Sequence, residues 1–201
     1  MKLVRVGSAG AERPGVLLAD GGIADVSGVI GDVAGEGLGS DSLDKLRGLD
    51  LAKLPRHPAG QRLGPCVGAV GKFIAIGLNY ADHAAETGAK IPAEPIVFMK
   101  ATSCIVGPND TVLKPRGSTK MDWEVELGVV IGSVTRYVSE ADAPKHIAGY
   151  CVINDLSERA LPVRAHGVRA LARARGPGLR RDAGRDGGAD LRRRARGPGR
   201  V

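Results

Sequence analysis

The composition of the chain changes abruptly after Ala160, and this change confines any packed core to the first 160 residues. Of the 41 residues that follow, 30 are Arg, Gly, Ala or Pro, and none is aromatic. Such a segment cannot bury enough apolar surface to offset the entropy lost when it becomes ordered. We therefore expect residues 161–201 to form a disordered, Arg-rich tail.

The net charge of +7 is distributed just as unevenly. The tail contains 12 Arg and 3 Asp and contributes +9, so residues 1–160 carry −2. The folded part therefore gives no electrostatic reason to expect a polyanionic partner. The tail could bind nucleic acid through salt-sensitive phosphate contacts, but it lacks aromatic residues for base stacking. Nucleic acid is for this reason not the favoured partner.

The sequence predicts a cytoplasmic protein without membrane contact. No apolar run approaches the ~18 residues that span a bilayer, and the N-terminus has no apolar stretch of signal-peptide length. The three cysteines, Cys66, Cys104 and Cys151, are widely separated, odd in number and without metal-ligand spacing. They indicate reduced thiols rather than a disulfide framework.

Residues 1–65 predict a small N-terminal α/β lobe. The apolar segments Lys2–Val6 and Gly15–Leu18 are separated by turn residues and predict a hairpin, and Ser42–Leu51 predicts a helix. Repeated prolines make Leu54–Pro65 a linker, because proline disrupts both helices and sheet ladders.

Residues 66–160 predict an α+β domain that is mostly β, because strands outnumber helices and irregular loops connect them. Gly88, just after one predicted helix, is expected to cap its C-terminus. The predicted strands are Lys72–Gly77, Ile96–Met99, Glu124–Ile131 and Gly149–Ile153, and the predicted helices are Ala81–Thr87 and Glu140–His146.

His83 and Glu86 form the first candidate catalytic cluster. They lie three residues apart on a predicted helix and therefore share a face. A carboxylate beside an imidazole can orient it for deprotonation of a water molecule. The alternative is a surface ion pair without a catalytic role.

Glu124 and Glu126 form the second cluster, on one face of an otherwise apolar predicted strand. Two like charges at this spacing repel each other and resist desolvation. A hard cation would relieve both effects, since Mg²⁺ prefers carboxylate oxygens. The alternative is a solvated face that keeps a sheet edge soluble.

Asp155 and Arg159 form the third cluster, where another apolar strand is predicted to end. Asp155 could supply a third metal ligand, and Arg159 could face an anionic substrate. The alternative is that Asp155 caps the following turn.

These clusters occur in a fixed order with other motifs, and together they resemble the fumarylacetoacetate hydrolase superfamily over about residues 1–160. The first residues and the Leu63–Gly68 segment are most similar to the bacterial branch of 2,4-diketo-3-deoxy-L-fuconate hydrolases and ureidoglycolate lyases. The motifs are Gly77–Glu86 (GLNYADHAAE), Pro95–Lys100 (PIVFMK), Asp122–Gly132 (DWEVELGVVIG), Gly149-Tyr150 and Asn154-Asp155.

The resemblance implies a mixed β-sheet roll or barrel and a divalent-metal-dependent hydrolase or lyase of small keto acids. It implies Mg²⁺ or Mn²⁺ as cofactor and a homodimer. In the implied mechanism, the metal activates a substrate carbonyl while the His–Glu pair activates water. The implied roles are metal ligation by Glu124, Glu126 and Asp155, catalysis by His83 and Glu86, and substrate binding by Lys100 and Arg159.

The sequence departs from the family pattern after the Asn-Asp motif. A Gly-Lys-x-x-Asp-Thr-Phe-x-Pro-x-Gly-Pro segment and a later Thr-Gly-Thr-Pro-x-Gly segment are both missing. An Arg/Gly/Ala/Pro mixture without Lys or Glu is typical of GC-rich coding DNA read in a shifted frame. We therefore expect a frameshift near Ala160, an incomplete barrel and impaired activity. The alternatives are an inactive metal-binding remnant and a basic-tailed nucleic-acid-binding protein.

Overall fold

The computed structural model describes residues 1–159, so the predicted tail at residues 161–201 lies outside the described residues. Most of the regular structure in the described range is β, as predicted, with two α-helices and several short 3₁₀ turns. Neither helix has the length and apolar character needed to cross a membrane.

The N-terminal residues form a three-stranded antiparallel sheet followed by a helix. The predicted hairpin forms the first two strands of this sheet, and the third strand was not predicted. At the turn before the third strand, the Asp20 carboxylate accepts a hydrogen bond from the Gly22 N–H at 2.9 Å. The strands follow the order β1-β2-β3. The elements are β1 (Leu3–Val6), β2 (Arg13–Leu17), β3 (Ile23–Asp25) and α1 (Ser40–Arg47), with 3₁₀ turns at Gly35–Leu38 and Leu51–Lys53.

The main hydrophobic core lies in this N-terminal part. Helix α1 contributes Leu43 and Leu46, which are three residues apart and therefore share one helix face. Val130 and Ala148, from two later strands, pack against the same core. The buried cluster consists of Val16, Val26, Ile30, Val33, Leu38, Leu43 and Leu46.

The proline-rich segment predicted as a linker packs against the N-terminal sheet. The carbonyl of Pro55 accepts a hydrogen bond from the Asp25 N–H at 2.8 Å. Proline has no backbone N–H to donate, but its carbonyl can still accept a hydrogen bond. Leu63 forms an isolated β-bridge with Val6. The His57 side chain is covered in this arrangement, with Nε2 3.2 Å from the Pro14 carbonyl oxygen.

A network of ion pairs fastens the proline-rich segment to β1 and to a later turn. The Arg62 guanidinium donates to both carboxylate oxygens of Asp110, at 2.7 and 2.5 Å, and to Glu12 at 2.8 Å. Arg5 binds both oxygens of Asp32 and lies 3.5 Å from Glu12. The Glu12 side chain is only 4% exposed, and the two arginines stabilise its ionised carboxylate.

Residues 66–159 form two antiparallel hairpins and one short helix. The first hairpin pairs β4 (Phe73–Gly77) with β5 (Ile96–Lys100), and the second pairs β6 (Met121–Ile131) with β7 (Ile147–Glu158). Helix α2 (Ala81–Thr87) lies between β4 and β5 along the chain. Gly88 ends α2 with φ +66°, which confirms the predicted glycine cap.

Two predicted elements differ from the structure. The helix predicted at Glu140–His146 is reduced to a 3₁₀ turn at Ala143–His146, since Pro144 cannot donate a backbone hydrogen bond. Strand β7 extends beyond its predicted end at Ile153, because β6 offers a continuous ladder of partners. Asp155 therefore lies within a strand, and its alternative role as a turn cap is excluded.

The described strands form separate sheets of three, two and two strands, so residues 1–159 do not contain a closed roll or barrel. One face of the β6–β7 hairpin leaves large apolar side chains exposed to solvent. Trp123, for example, is 65% exposed. The exposed apolar side chains of this face are Trp123, Val125, Leu127, Val129, Ile131, Tyr150 and Val152.

Candidate metal and catalytic site

Three predicted metal ligands share the other face of the β6–β7 hairpin. Glu124 lies directly opposite Asp155 in the ladder, and Glu126 lies opposite Ile153. Side chains two residues apart on a strand project to the same side, and directly opposite residues share a face. All three acidic residues are partly covered, whereas Val125 between them is exposed. The sequence prediction that Glu124 and Glu126 share a face is therefore confirmed.

The electrostatics of this face disfavour a third negative charge. Partial burial raises the pKa of Glu126, and the nearby carboxylates of Glu124 and Asp155 raise it further. His83 and Lys100 act in the opposite direction but do not outweigh these effects. This unfavourable ionisation arises from burial and from the two neighbouring carboxylates. A bound cation would relieve it.

Two cationic side chains pair with the carboxylates. The Lys100 ammonium group, at the end of β5, forms an ion pair with Asp155 and lies 5.7 Å from the centre of the Phe98 ring. Arg159 donates to Glu124 at 2.6 Å and to Asp122 at 3.0 Å. Both predicted substrate-binding residues therefore contact predicted metal ligands.

Helix α2 brings His83 within electrostatic range of Glu126. The Asp82 carboxylate accepts a hydrogen bond from the His83 backbone N–H at 2.9 Å, and the Thr87 hydroxyl donates to the His83 carbonyl at 2.9 Å. Glu86 lies on the same helix and is exposed. Within residues 1–159, no hydrogen bond joins the His83 imidazole to Glu86. The structure thus gathers six of the seven predicted site residues and leaves Glu86 at the margin.

The donor set fits a hard divalent cation, because three carboxylates supply the oxygen ligands that Mg²⁺ and Mn²⁺ prefer. As the side chains are placed, no three His, Cys, Asp or Glu residues in the described range converge closely enough to hold an ion. Lys100 and Arg159 engage Asp155 and Glu124 instead. Metal binding would require those two carboxylates to exchange a cationic side chain for the ion.

A shallow depression of about 270 Å³ lies beside α2 and is lined by the end of β4 and by residues 91–95. Leu78, one of its lining residues, has φ +49°, a left-handed conformation that a branched side chain rarely adopts. Backbone strain of this kind is often found beside ligand sites. Sequence reasoning missed Leu78 because a single residue carries no pattern that reveals its backbone angle.

Sequence reasoning also missed Asp122 as the second partner of Arg159. The signal was available, because Asp122 precedes Glu124 by two residues and therefore continues the acidic face of β6. The sequence position of Arg159, one residue beyond β7, did not reveal that it would reach across to β6.

Comparison with known proteins identifies the family. The family profile described as "Fumarylacetoacetate (FAA) hydrolase C-terminal" matches residues 72–180, so the match runs 20 residues past the boundary drawn from composition. A provisionally named hydrolase of Burkholderia ambifaria strain MC40-6 is 55% identical over 167 residues, which are 83% of this chain and 59% of that protein. The chain thus spans about three-fifths of the length of the curated relatives it matches.

Solved structures give the same assignment. Fumarylacetoacetate hydrolase from psychrophilic Exiguobacterium antarcticum is 33% identical with a TM-score of 0.61, over 80% of this chain and 57% of that one. Maleylpyruvate hydrolase from Sphingobium sp. SYK-6, in complex with manganese(II) and pyruvate, is 27% identical with a TM-score of 0.61, over 79% and 60%. The chain belongs to the fumarylacetoacetate hydrolase family, a family of enzymes.

Proposed function

We propose that this chain carries the metal-binding and proton-transfer residues of a divalent-metal-dependent hydrolase that cleaves a carbon–carbon bond in small 2-oxo (diketo) acids. The observation that carries the proposal is the grouping of Glu124, Glu126 and Asp155 on one face of β6–β7, with His83 of α2 in electrostatic range. The manganese and pyruvate bound to the Sphingobium relative support the substrate class, since pyruvate is a 2-oxo acid.

Glu124, Glu126 and Asp155 would hold Mg²⁺ or Mn²⁺ through their carboxylate oxygens. When bound, the ion supplies Lewis-acid polarisation of a substrate carbonyl. The raised pKa of Glu126 supports this role, because burial and two neighbouring carboxylates make the metal-free trianion unfavourable. Such clustering of like charges is common at functional sites.

His83 would act as the general base, accepting a proton from a water molecule at a ring nitrogen. Glu86, one helical turn further along α2, would stabilise the resulting imidazolium by its negative charge. Lys100 and Arg159 would bind the carboxylate of the substrate, for which a fixed cation is the natural partner. Their present contacts with Asp155 and Glu124 already place both cations beside the proposed metal ligands.

The reaction is tested with an acylpyruvate and Mn²⁺ or Mg²⁺, alongside a melting curve with and without metal. The proposal predicts turnover to a carboxylic acid and pyruvate, and a higher melting temperature with metal. His83→Ala should abolish turnover while the metal-induced shift remains. Glu140→Gln, an exposed acidic residue outside the site, is the control and should retain both.

The competing proposal is a metal-binding remnant without catalysis. It predicts the same metal-induced rise in melting temperature with no turnover on any 2-oxo acid. If metal changes neither property, both proposals are wrong. Product analysis separates hydrolysis from the lyase, isomerase and decarboxylase reactions, since only hydrolysis consumes one water for each bond cleaved. The homodimer expected from the resemblance belongs to this proposal, and sedimentation of the chain would test it.

A further inference from the structure

Arg159 binds two carboxylates of β6, and it uses a different nitrogen for each. Its Nε donates to Asp122 at 3.0 Å, and its Nη2 donates to Glu124 at 2.6 Å. Glu124 is one of the proposed metal ligands, whereas Asp122 is not. When Glu124 binds an ion, Nη2 loses its partner, but the contact between Nε and Asp122 involves no metal ligand.

The backbone places Arg159 beside the start of β6, close to Asp122. The Arg159 N–H donates to the Lys120 carbonyl at 2.8 Å, so the pairing of the two strands continues one residue past the end of β7. Asp122 and Glu124 are two residues apart on β6 and share one face of the hairpin. The Arg159 side chain contacts both of them and therefore extends along this face toward the other acidic residues.

The Asp122 carboxylate is itself oriented by the backbone. Its Oδ1 accepts a hydrogen bond from the Trp123 N–H at 2.9 Å, while its Oδ2 accepts from Arg159. The Asp122 side chain is 48% exposed, and that of Glu124 is 23% exposed. The more exposed carboxylate thus holds the Nε side of the guanidinium, and the more covered one binds the end that lies among the proposed metal ligands.

A guanidinium held in this way is suited to carboxylate recognition. Its five N–H donors lie in one plane, so a hydrogen bond at Nε also restricts the direction of both Nη groups. Two parallel N–H donors can bind both oxygens of a carboxylate, which gives a more directional contact than an ammonium group provides. The contact with Asp122 therefore fixes where the donors of Arg159 point.

We propose that Asp122 is a positioning residue, which keeps Arg159 beside the metal ligands when Glu124 binds the ion. Arg159 then exchanges the carboxylate of Glu124 for the carboxylate of a 2-oxo acid, while its Nε stays with Asp122. This inference rests on the function proposed above, in which Glu124 is a metal ligand and Arg159 binds the substrate. Asp122 acts only through Arg159 and contacts neither the ion nor the substrate.

Asp122→Asn tests this role, because asparagine keeps the shape of the side chain and removes its charge. With the amide oxygen still accepting from the Trp123 N–H, the NH₂ group faces the Nε–H of Arg159, so that two donors meet. Calorimetric titration of the Mn²⁺-loaded chain should show pyruvate binding at least about fivefold weaker, the effect of losing one charge-assisted hydrogen bond. The affinity for Mn²⁺ itself should change by less than about threefold, because solvent screens a half-exposed charge.

Two further variants separate positioning from a general loss of structure or charge. Asp44→Asn removes the exposed ion pair of Asp44 with Arg47 on α1 and should leave both affinities unchanged. Arg159→Gln should weaken pyruvate binding by itself. Asp122→Asn should then cause no additional loss in the Arg159→Gln chain, since a residue that acts only through Arg159 has no effect once Arg159 is replaced.

The rate at which phenylglyoxal modifies Arg159 tests the contact without metal or substrate. Peptide mapping should show modification at least about threefold faster in Asp122→Asn, because the guanidinium has lost one of its two carboxylate partners. Retained Mn²⁺ affinity in the same variant shows that the faster reaction does not come from unfolding.

The outcomes separate this inference from the proposed function. An unmodified chain that binds no Mn²⁺ or no pyruvate would refute the proposed function, and with it the role of Asp122 in substrate binding. If the unmodified chain binds both, three results would overturn the inference alone. They are an unchanged phenylglyoxal rate, a large loss of Mn²⁺ affinity in Asp122→Asn, and an undiminished effect of that change in the Arg159→Gln chain.

Discussion

Replacing Glu126 with glutamine should stabilise the metal-free protein and weaken its response to metal. Glu126 shares a strand face with Glu124 and lies diagonally across from Asp155, and its raised pKa reports burial together with repulsion from both. Glutamine keeps the shape of the side chain and removes the charge. The change therefore isolates the electrostatic cost that the proposed metal would offset.

The expected size follows from the geometry of the strand. Residues two apart are about 6.6 Å apart along a strand. Two like charges at that distance repel by about 0.6 kcal/mol in water and about 2.5 kcal/mol at an effective dielectric constant of about 20. Arg159 and Lys100 pair with Glu124 and Asp155 and cancel part of this repulsion. We expect a net stabilisation of about 1 kcal/mol for Glu126→Gln.

The stabilisation by Glu126→Gln should be lost as the pH falls. A carboxyl group whose pKa is raised on folding destabilises the folded state at any pH at which the group is ionised in that state. The penalty disappears at low pH, where the carboxyl is protonated in both the folded and the unfolded state. The gain of Glu126→Gln should therefore be full at pH 7 and vanish below about pH 4. A gain that persists at low pH would indicate a packing effect instead.

Urea unfolding in EDTA, and again with excess Mn²⁺, measures both predictions. The variant should be more stable than the unmodified chain in EDTA and less stable with Mn²⁺, since ligand binding stabilises in proportion to affinity. Glu140→Gln removes an exposed charge outside the site and should change neither value by more than about 0.5 kcal/mol. A variant that is less stable in EDTA would refute the electrostatic reasoning.

Two further changes test the fold that holds the site. Arg62→Ala should cost about 3 kcal/mol, because it removes the 2.8 Å ion pair of the largely covered Glu12 carboxylate and leaves it with the Gly10 N–H and a longer contact to Arg5. The exposed pair removed by Arg47→Ala should be worth under about 0.5 kcal/mol. Gly128→Ala should cost about 1–3 kcal/mol through its clash with Cys151 and Ile153, while Gly149→Ala, with open space around it, should be nearly neutral. The midpoints of urea unfolding measure the loss of stability in each variant. An equal loss in Arg62→Ala and Arg47→Ala, or in Gly128→Ala and Gly149→Ala, would contradict the structure.

The elements that depend on local sequence were predicted well. Alternation along residues 121–131 placed Glu124 and Glu126 on one face, and Gly88 marked the end of α2 because its left-handed angle favours glycine. Both signals act within a few residues. The same holds for the N-terminal hairpin, whose turn residues are adjacent in the chain.

The features that depend on distant partners were missed or misplaced. Asp155 was expected at a strand end, but the length of β7 is set by its ladder with β6, which the β7 sequence alone does not specify. The burial of the His57 side chain likewise arises from how separate segments pack.

The most direct test of the central claim is a Mn²⁺ titration of the chain, followed by the electron paramagnetic resonance signal of free Mn²⁺. The account predicts one tightly bound ion per chain and an affinity at least about tenfold lower in each of Glu124→Gln, Glu126→Gln and Asp155→Asn, with Glu140→Gln unchanged. Binding that is absent, or that survives unaltered in all three site variants, would contradict the assignment of this face as the metal site.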